Sequence, residues 1–189
     1  MGTGDGLFVY HCARENPQTF FIGIDANRRP LQKISERIHR KPSKGGLSNL
    51  LFVQAAVETL PAELEGVAHD VCINFPWGSL LRAVGLGETL VLRNVRRICS
   101  PNARLKVFLG LDSERDRAEI ERLALPTLST DFVSAVLAPK YREAGFEIVE
   151  TESLPSSSPP EMHTSWARRL QRSSRRSFLR IVAQAIGEE

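Results

Sequence analysis

Near its start the chain carries Gly2-Thr3-Gly4-Asp5-Gly6, a glycine-rich turn that leads directly into a helix-like stretch over 6–15. This turn constrains the fold more than any other feature of the sequence. Glycine backbones tolerate positive φ and close approach of a ligand, and a helix N-terminus behind them supplies unpaired N–H groups. In doubly wound α/β folds such a turn follows the first, central strand. No strand-like segment precedes Gly2 in this sequence. The expectation is that Met1 is an internal methionine of a longer chain, or that this form is unstable and binds cofactor poorly. Restoring a short apolar strand ending in Asp ahead of Gly2 is expected to raise stability and affinity, because a parallel sheet lacking its central strand exposes unpaired backbone and two apolar faces.

Downstream, apolar runs alternate with helical periodicity. FFIGIDA (20–26), LLFVQAA (50–56), DVCINF (70–75) and RLKVFLGL (104–111) are short, continuous apolar segments, the pattern of strands buried in a parallel sheet. Leu31, Ile34 and Ile38 recur at helical spacing within 30–41, with basic residues on the opposite face. Further helices are predicted over 87–99, 113–123 and 129–144, the last capped by Gly145. FEIVETESL (146–154) reads as a strand, 155–160 as a Ser/Pro linker, and 166–172 as a helical turn. RSFLRIVAQA (176–185) alternates as an edge-side strand of a mixed sheet does. Strands alternating with helices imply an α/β, doubly wound, Rossmann-like fold, mostly parallel with an antiparallel C-terminal strand.

A chain of 189 residues is most simply one domain, 1–189, large enough for a full core. No apolar run is long enough to span a bilayer and nothing reads as a signal peptide, so a cytoplasmic location is expected. Cys12, Cys72 and Cys99 are odd in number and widely spaced, with Cys72 and Cys99 in apolar segments; buried reduced thiols are expected, and no metal site. His11 beside Cys12 has no further clustered ligand and reads as helix surface next to helix core. The formal charge of +3 is unevenly spread. Arg28, Arg29, Lys33, Arg37, Arg40, Lys41 and Lys44 face the single acid Glu36, and Arg168, Arg169, Arg172, Arg175, Arg176 and Arg180 face none. Such asymmetry points to a polyanionic partner.

Asp25 ends the strand that follows the glycine turn, where dinucleotide-type folds place an acid on ribose hydroxyls, and Glu58 follows the end of the next. Turn, Asp25 and Glu58 make a series of polar groups along the ligand-binding edge of the sheet. NAD and S-adenosylmethionine both fit this series. The GTGDG turn lacks the GxGxxG spacing, which favours S-adenosylmethionine. The two tryptophans sit in predicted loops: Trp77 after Phe75-Pro76, and Trp166 ahead of the arginine-rich run. Flat apolar faces of this kind replace the stacking that a flipped base loses; the alternative is that each tryptophan packs beneath its loop.

GTGDG, FFIGID, KPSKGGLSNLLFV, AAVETLP, INFPWGSLL, LPTLS, SWARRL and RRSFLR, in this order, resemble the aminoglycoside-resistance 16S rRNA (adenine(1408)-N(1))-methyltransferases over essentially the whole chain, as a Rossmann-like class I methyltransferase. Three departures stand out: the N-terminal hairpin and first strand are absent, Ser174 stands where the family can carry a basic residue, and 120–125 (IERLAL) lacks a basic residue that some relatives have there. The resemblance implies that Gly2, Gly4 and Asp25 surround the amino-acid and ribose portions of S-adenosylmethionine, with Val57 and Glu58 near its adenine. It implies Ser79 and Thr164 at the methyl-donor pocket, Trp77 and Trp166 sandwiching the flipped target adenine, and a linker (151–165) near that base. It places Arg37, Arg40, Lys41 and Lys44 on ribosomal RNA phosphates, and Arg169, Arg175 and Arg176 beside the target. The implied substrate is 16S rRNA in the assembled small subunit, met by a monomer without metal. Unpaired adenine N1 already has a lone pair, so no catalytic His or Cys is expected. A backbone carbonyl of the Pro76-Trp77 turn is the expected acceptor for the exocyclic amine. Two alternatives stand beside this reading: a tRNA guanine-N7 methyltransferase-like enzyme, although Gly78-Ser79-Leu80-Leu81 lacks the charged residues expected after the Pro, and an RNA-binding Rossmann-like protein that has lost its cofactor.

Overall fold

The computed structural model describes residues 1–154 and 176–187. Among them, Met1–Ala56 form one compact unit and the residues from Val57 onward form a second. In the first unit, α1 (Leu7–Glu15) leaves the glycine turn, β1 (Phe21–Asp25) follows, and α2 (Arg28–Ile38) leads to β2 (Leu50–Gln54). The two strands pair in parallel, from Phe21 opposite Leu50 to Asp25 opposite Gln54. Helix α2 begins where the Asn27 carboxamide accepts from Arg29 N at 3.1 Å, filling one of the open N–H positions of a first turn. Its apolar stripe, Leu31, Ile34 and Ile38, packs with Tyr10, Ala13 and Leu50 in one buried cluster, as its spacing predicts. Asn49 Nδ2 lies 2.9, 3.1 and 2.9 Å from the carbonyls of Ala13, Asn16 and Thr19. The last residue of PSKGGLSN thereby ties the end of α1 to the entry of β1.

The second unit contains β3 (Ala68–Asn74), α3 (Gly78–Leu86), α4 (Thr89–Ile98), β4 (Cys99–Leu111) and α5 (Arg117–Arg122). A helical run follows as α6 (Thr130–Phe132), a π-turn (Val133–Leu137) and α7 (Ala138–Glu143), then β5 (Phe146–Leu154) and β6 (Ser177–Ala185). The sheet order is β3-β4-β6-β5, with β3 and β4 parallel and the other two pairings antiparallel. Ile73, Leu105, Val107, Phe146, Ile181 and Ala183 form its wholly buried centre. The parallel pairs and antiparallel C-terminal strands are the predicted mixed α/β architecture, divided here between a two-stranded and a four-stranded sheet.

Three local expectations change. Helix α3 is absent from the sequence reading, because Gly78, Gly85 and Gly87 break up a pattern whose Leu81, Ala83 and Val84 are in fact fully buried. Strand β6 is interior rather than edge-side: Phe178, Leu179, Ile181, Val182, Ala183 and Ala185 are buried, and β5 is the edge strand beside it. The helix predicted over 129–144 is interrupted by the π-turn just ahead of Pro139. A proline there has no N–H to donate and its ring crowds the carbonyl of residue 135, which a widened turn relieves. Gly145 ends the run at φ +90°, donating to Arg142 O at 3.0 Å, as expected for its cap.

Candidate active site

The first unit builds the glycine turn onto the end of β1. Thr3 N donates to Ile24 O at 3.1 Å, and Gly4 N donates to Asp25 Oδ2 at 2.7 Å. Asn27 N donates to Asp25 Oδ1 at 2.8 Å, so one carboxylate bridges the turn and the start of α2. Gly2, Gly4 and Gly6 all hold positive φ, at 67°, 56° and 70°. At Gly6 an added Cβ would lie 2.7 Å from the Phe52 ring, whereas at Gly4 it would meet nothing within 4 Å. Gly4 therefore serves conformation and leaves open space above the turn. Thr3 Oγ1 is buried with no hydrogen-bond partner among the described residues. An open cradle, an orphan hydroxyl and a carboxylate that keeps spare lone pairs fit a hydroxylated, amine-bearing cofactor. The sequence brings Gly4 and Asp25 together as expected, but Asp25 organises the turn directly as well as facing it.

In the second unit, Val57 is buried and Glu58 exposed on a 3-10 turn (Val57–Thr59), whose Glu58 carbonyl accepts from Asn94 Nδ2 at 3.1 Å. After β3 comes a turn with an unusual backbone: Phe75 at φ +49° and Gly78 at φ +60° flank Pro76 and Trp77. A bulky residue at positive φ is strained and persists only where its surroundings fix it. Here Phe75 N donates to Phe108 O at 2.7 Å, and the Phe75 ring meets Phe178 edge-on at 6.0 Å. From α5, Glu119 Oε1 accepts from Gly78 N at 3.1 Å while both its oxygens hold Arg122 at 2.7 Å. The Arg122 guanidinium holds the Glu119 carboxyl below its ordinary range, so the acceptor stays ionised at neutral pH. The turn presents Trp77, 45 % exposed, with Ser79 exposed in the next turn of helix. Glu119 is a site residue the sequence does not reveal, because its partner lies 41 residues away.

The basic residues Arg28, Arg29, Lys33, Arg37, Arg40, Lys41 and Lys44 are all exposed on α2 and the loop after it. A 3-10 turn (Pro42–Lys44) shapes that loop, with Lys44 N donating to Lys41 O at 2.8 Å. The C-terminal arginines differ. Of the linker expected over 151–165, residues 151–154 instead belong to β5 and pair with β6, and the rest lies outside the described residues, as do Thr164, Trp166, Arg169 and Arg175. Arg176, expected on RNA, is instead 6 % exposed: its Nη1 donates to Gly110 O at 2.7 Å and to Asp116 Oδ2 at 2.6 Å. Arg180 donates to Glu152 at 3.0 and 2.8 Å and also pairs with Glu150 across β5. The linear charge run hides both pairings, because the acids come from other elements. Cys99 is buried and Cys72 partly so; burial pushes the Cys99 thiol up to about 11, and none of the three cysteines forms a disulfide. Among the described residues no group of His, Cys, Asp and Glu is arranged to hold a metal, and no helix is long and apolar enough to cross a membrane.

Comparison with known proteins gives these features a common frame. The family model described as NpmA: 16S rRNA (adenine(1408)-N(1))-methyltransferase matches residues 1–185. An Escherichia coli protein named 16S rRNA (adenine(1408)-N(1))-methyltransferase is 38% identical over 182 residues, covering 96% of this chain and 83% of that protein. A Streptoalloteichus tenebrarius protein of the same name is 39% identical over 179 residues, covering 94% and 81%. Among solved structures, a mutant of the Catenulisporales acidiphilia 16S rRNA (adenine(1408)-N(1))-methyltransferase with cosubstrate SAM superposes at TM-score 0.91 and 33% identity, covering 100% of this chain and 84% of that one. The aminoglycoside resistance methyltransferase NpmB1 superposes at TM-score 0.82 and 46% identity, covering 98% and 84%. The chain belongs to the 16S rRNA (adenine(1408)-N(1))-methyltransferase family.

Proposed function

We infer that this chain transfers the methyl group of S-adenosylmethionine to N1 of adenine 1408 in 16S rRNA, and thereby confers aminoglycoside resistance. The observation that carries the reading is the strained Phe75-to-Gly78 turn, which holds a half-exposed indole at the end of β3 in a chain matching this family over residues 1–185. S-adenosylmethionine supplies a methyl group activated by its sulfonium. Gly2, Gly4 and Asp25 hold its amino-acid and ribose portions, with Val57 and Glu58 near its adenine and Ser79 and Thr164 beside the donor methyl. Trp77 and Trp166 stack on the extruded adenine, at about 1–3 kcal/mol for each aromatic face.

The N1 lone pair forms the new C–N bond as the carbon–sulfur bond breaks, leaving positive charge on the base. No proton need be removed first, so alignment dominates the rate; in well-oriented systems it is worth about 7–11 kcal/mol. The indole faces stabilise the cationic product, and a carbonyl in the Pro76-Trp77 turn accepts from the exocyclic amine. Arg40, Lys41 and Lys44, with Arg37 beside them, meet phosphates of the assembled small subunit, and Arg169 and Arg175 grip RNA beside the target. Arg176 acts differently, anchoring the start of β6 through Asp116. Residues 1–189 work as one methyltransferase domain, with 155–165 as its target-side linker after the end of β5, as a monomer acting without metal in the cytoplasm.

The test is methyl transfer from labelled S-adenosylmethionine to purified small subunits, large subunits and tRNA in parallel. Label confined to small subunits is expected. Label on tRNA would instead favour a tRNA guanine-N7-type enzyme, and cofactor binding without transfer would favour an impaired RNA-binding protein.

A further inference from the structure

The basic loop after α2 is held from beneath by α1. Tyr10, 2 % exposed, donates its hydroxyl to Gly45 O at 2.9 Å, and the Arg37 guanidinium carbon lies 4.5 Å from the centre of the Tyr10 ring. Gly45 sits at φ +86°, where an added Cβ would come within 2.7 Å of Arg37 Nε and 2.9 Å of the Tyr10 hydroxyl. At Gly46 an added Cβ would lie 1.7 Å from the Arg40 carbonyl oxygen, so the chain folds back hard against the end of α2. Gly46 N donates to Lys41 O at 3.2 Å and Leu47 N to Ile38 O at 3.0 Å, closing the loop. Lys41 and Lys44 are the charged side chains at its surface, either side of the exposed Pro42 and Ser43, and the Tyr10 hydroxyl lies beneath it.

We propose that Tyr10 is a positioning residue for RNA docking: its hydroxyl fixes the Gly45 carbonyl, and its ring seats Arg37, so that Lys41 and Lys44 are held as a rigid pair of phosphate contacts. The proposal rests on the reading of Lys41 and Lys44 as phosphate contacts. Packing on the ring accounts for Arg37, whose guanidinium is directed by a cation–π contact as well as by charge. A buried hydroxyl bonded to a loop carbonyl has little to add to core packing that phenylalanine would not supply. Its contribution is directional, and it falls on one loop. Holding two ammonium groups before RNA arrives removes part of the ordering cost of docking.

Tyr10→Phe removes the donor and keeps the ring beneath Arg37. Small-subunit affinity, read by fluorescence polarisation across a salt series, is expected to fall about three- to tenfold, the range for one net hydrogen bond. The slope of log affinity against log salt is expected to flatten by about one unit for each phosphate that the loop no longer reaches. Calorimetric affinity for S-adenosylmethionine is expected to stay unchanged. Gly45→Ala approaches the same loop from the other side and is expected to give the same pattern. In a Lys41→Ala/Lys44→Ala background, Tyr10→Phe is expected to cause no further loss. Unchanged affinity and slope in Tyr10→Phe, or an equal loss of cofactor binding, would overturn the proposal. If Lys41→Ala/Lys44→Ala itself leaves affinity and slope unchanged, the docking reading fails first and the proposal with it.

Discussion

At the scale of single residues, Trp77, Asp25 and Glu119 shape the candidate site. Trp77→Ala is expected to lower methyl transfer to small subunits about 10- to 100-fold while leaving cofactor affinity intact, because one stacking face is removed; Trp77→Phe should retain most of the activity. Asp25→Ala leaves Gly4 N without its 2.7 Å acceptor and is expected to weaken S-adenosylmethionine binding about tenfold in a calorimetric titration. Glu119 carries a pH signature. A carboxyl whose folded pKa is depressed supports the fold above its unfolded value and loses that support as pH falls through the lowered one. Trp77 fluorescence, read in a Trp166→Phe background, should therefore hold steady from neutral pH down to the ordinary carboxyl value of 4.5 and change only below it. In Glu119→Ala the change should already be present at neutral pH. Asp25 and Trp77 are legible in the sequence, since Asp25 ends the apolar run that follows the glycine turn and Trp77 follows Phe75-Pro76 at the end of another. Glu119 and Tyr10 are not, because each acts through a backbone group far away in sequence.

Among the elements, β6 gives the sharpest contrast between sequence and structure. Arg176, the residue that leads into it, belongs to a run of arginines that reads as an RNA-facing surface, yet the side chain is buried against Asp116 with both partners nearly inaccessible. Removing one member of a buried ion pair strands the other, at about 3–5 kcal/mol. Arg176→Ala and Asp116→Ala are each expected to lower the urea midpoint by a corresponding amount, and the double variant to lose less than the sum of the two. Equal stability with weakened RNA binding would return Arg176 to the surface role. Strands β1 to β4 are legible because apolar runs bounded by polar or turn-forming residues have few other readings. Helix α3 is hidden by its glycines, and the interior place of β6 by alternation that an edge strand shares.

Across the whole molecule, charge asymmetry and family membership converge on one substrate. The exposed basic face of α2 and its loop predicts binding that weakens steeply with salt, whereas Arg176 and Arg180 are internally neutralised and should add little to the slope. Lys41→Glu is expected to weaken small-subunit binding without altering cofactor affinity, read by the same polarisation assay. The fold class is legible from the alternation of strands and helices, but the division of pairing into two sheets is not, since periodicity reports which segments are strands and not which neighbours they find. The central claim is the identity of the modified atom. It is tested most directly by treating small subunits with the protein and S-adenosylmethionine and mapping 16S rRNA by primer extension with mass spectrometry. A single 1-methyladenosine at position 1408 is predicted; a methylated guanine, or an adenine methylated elsewhere, would contradict it.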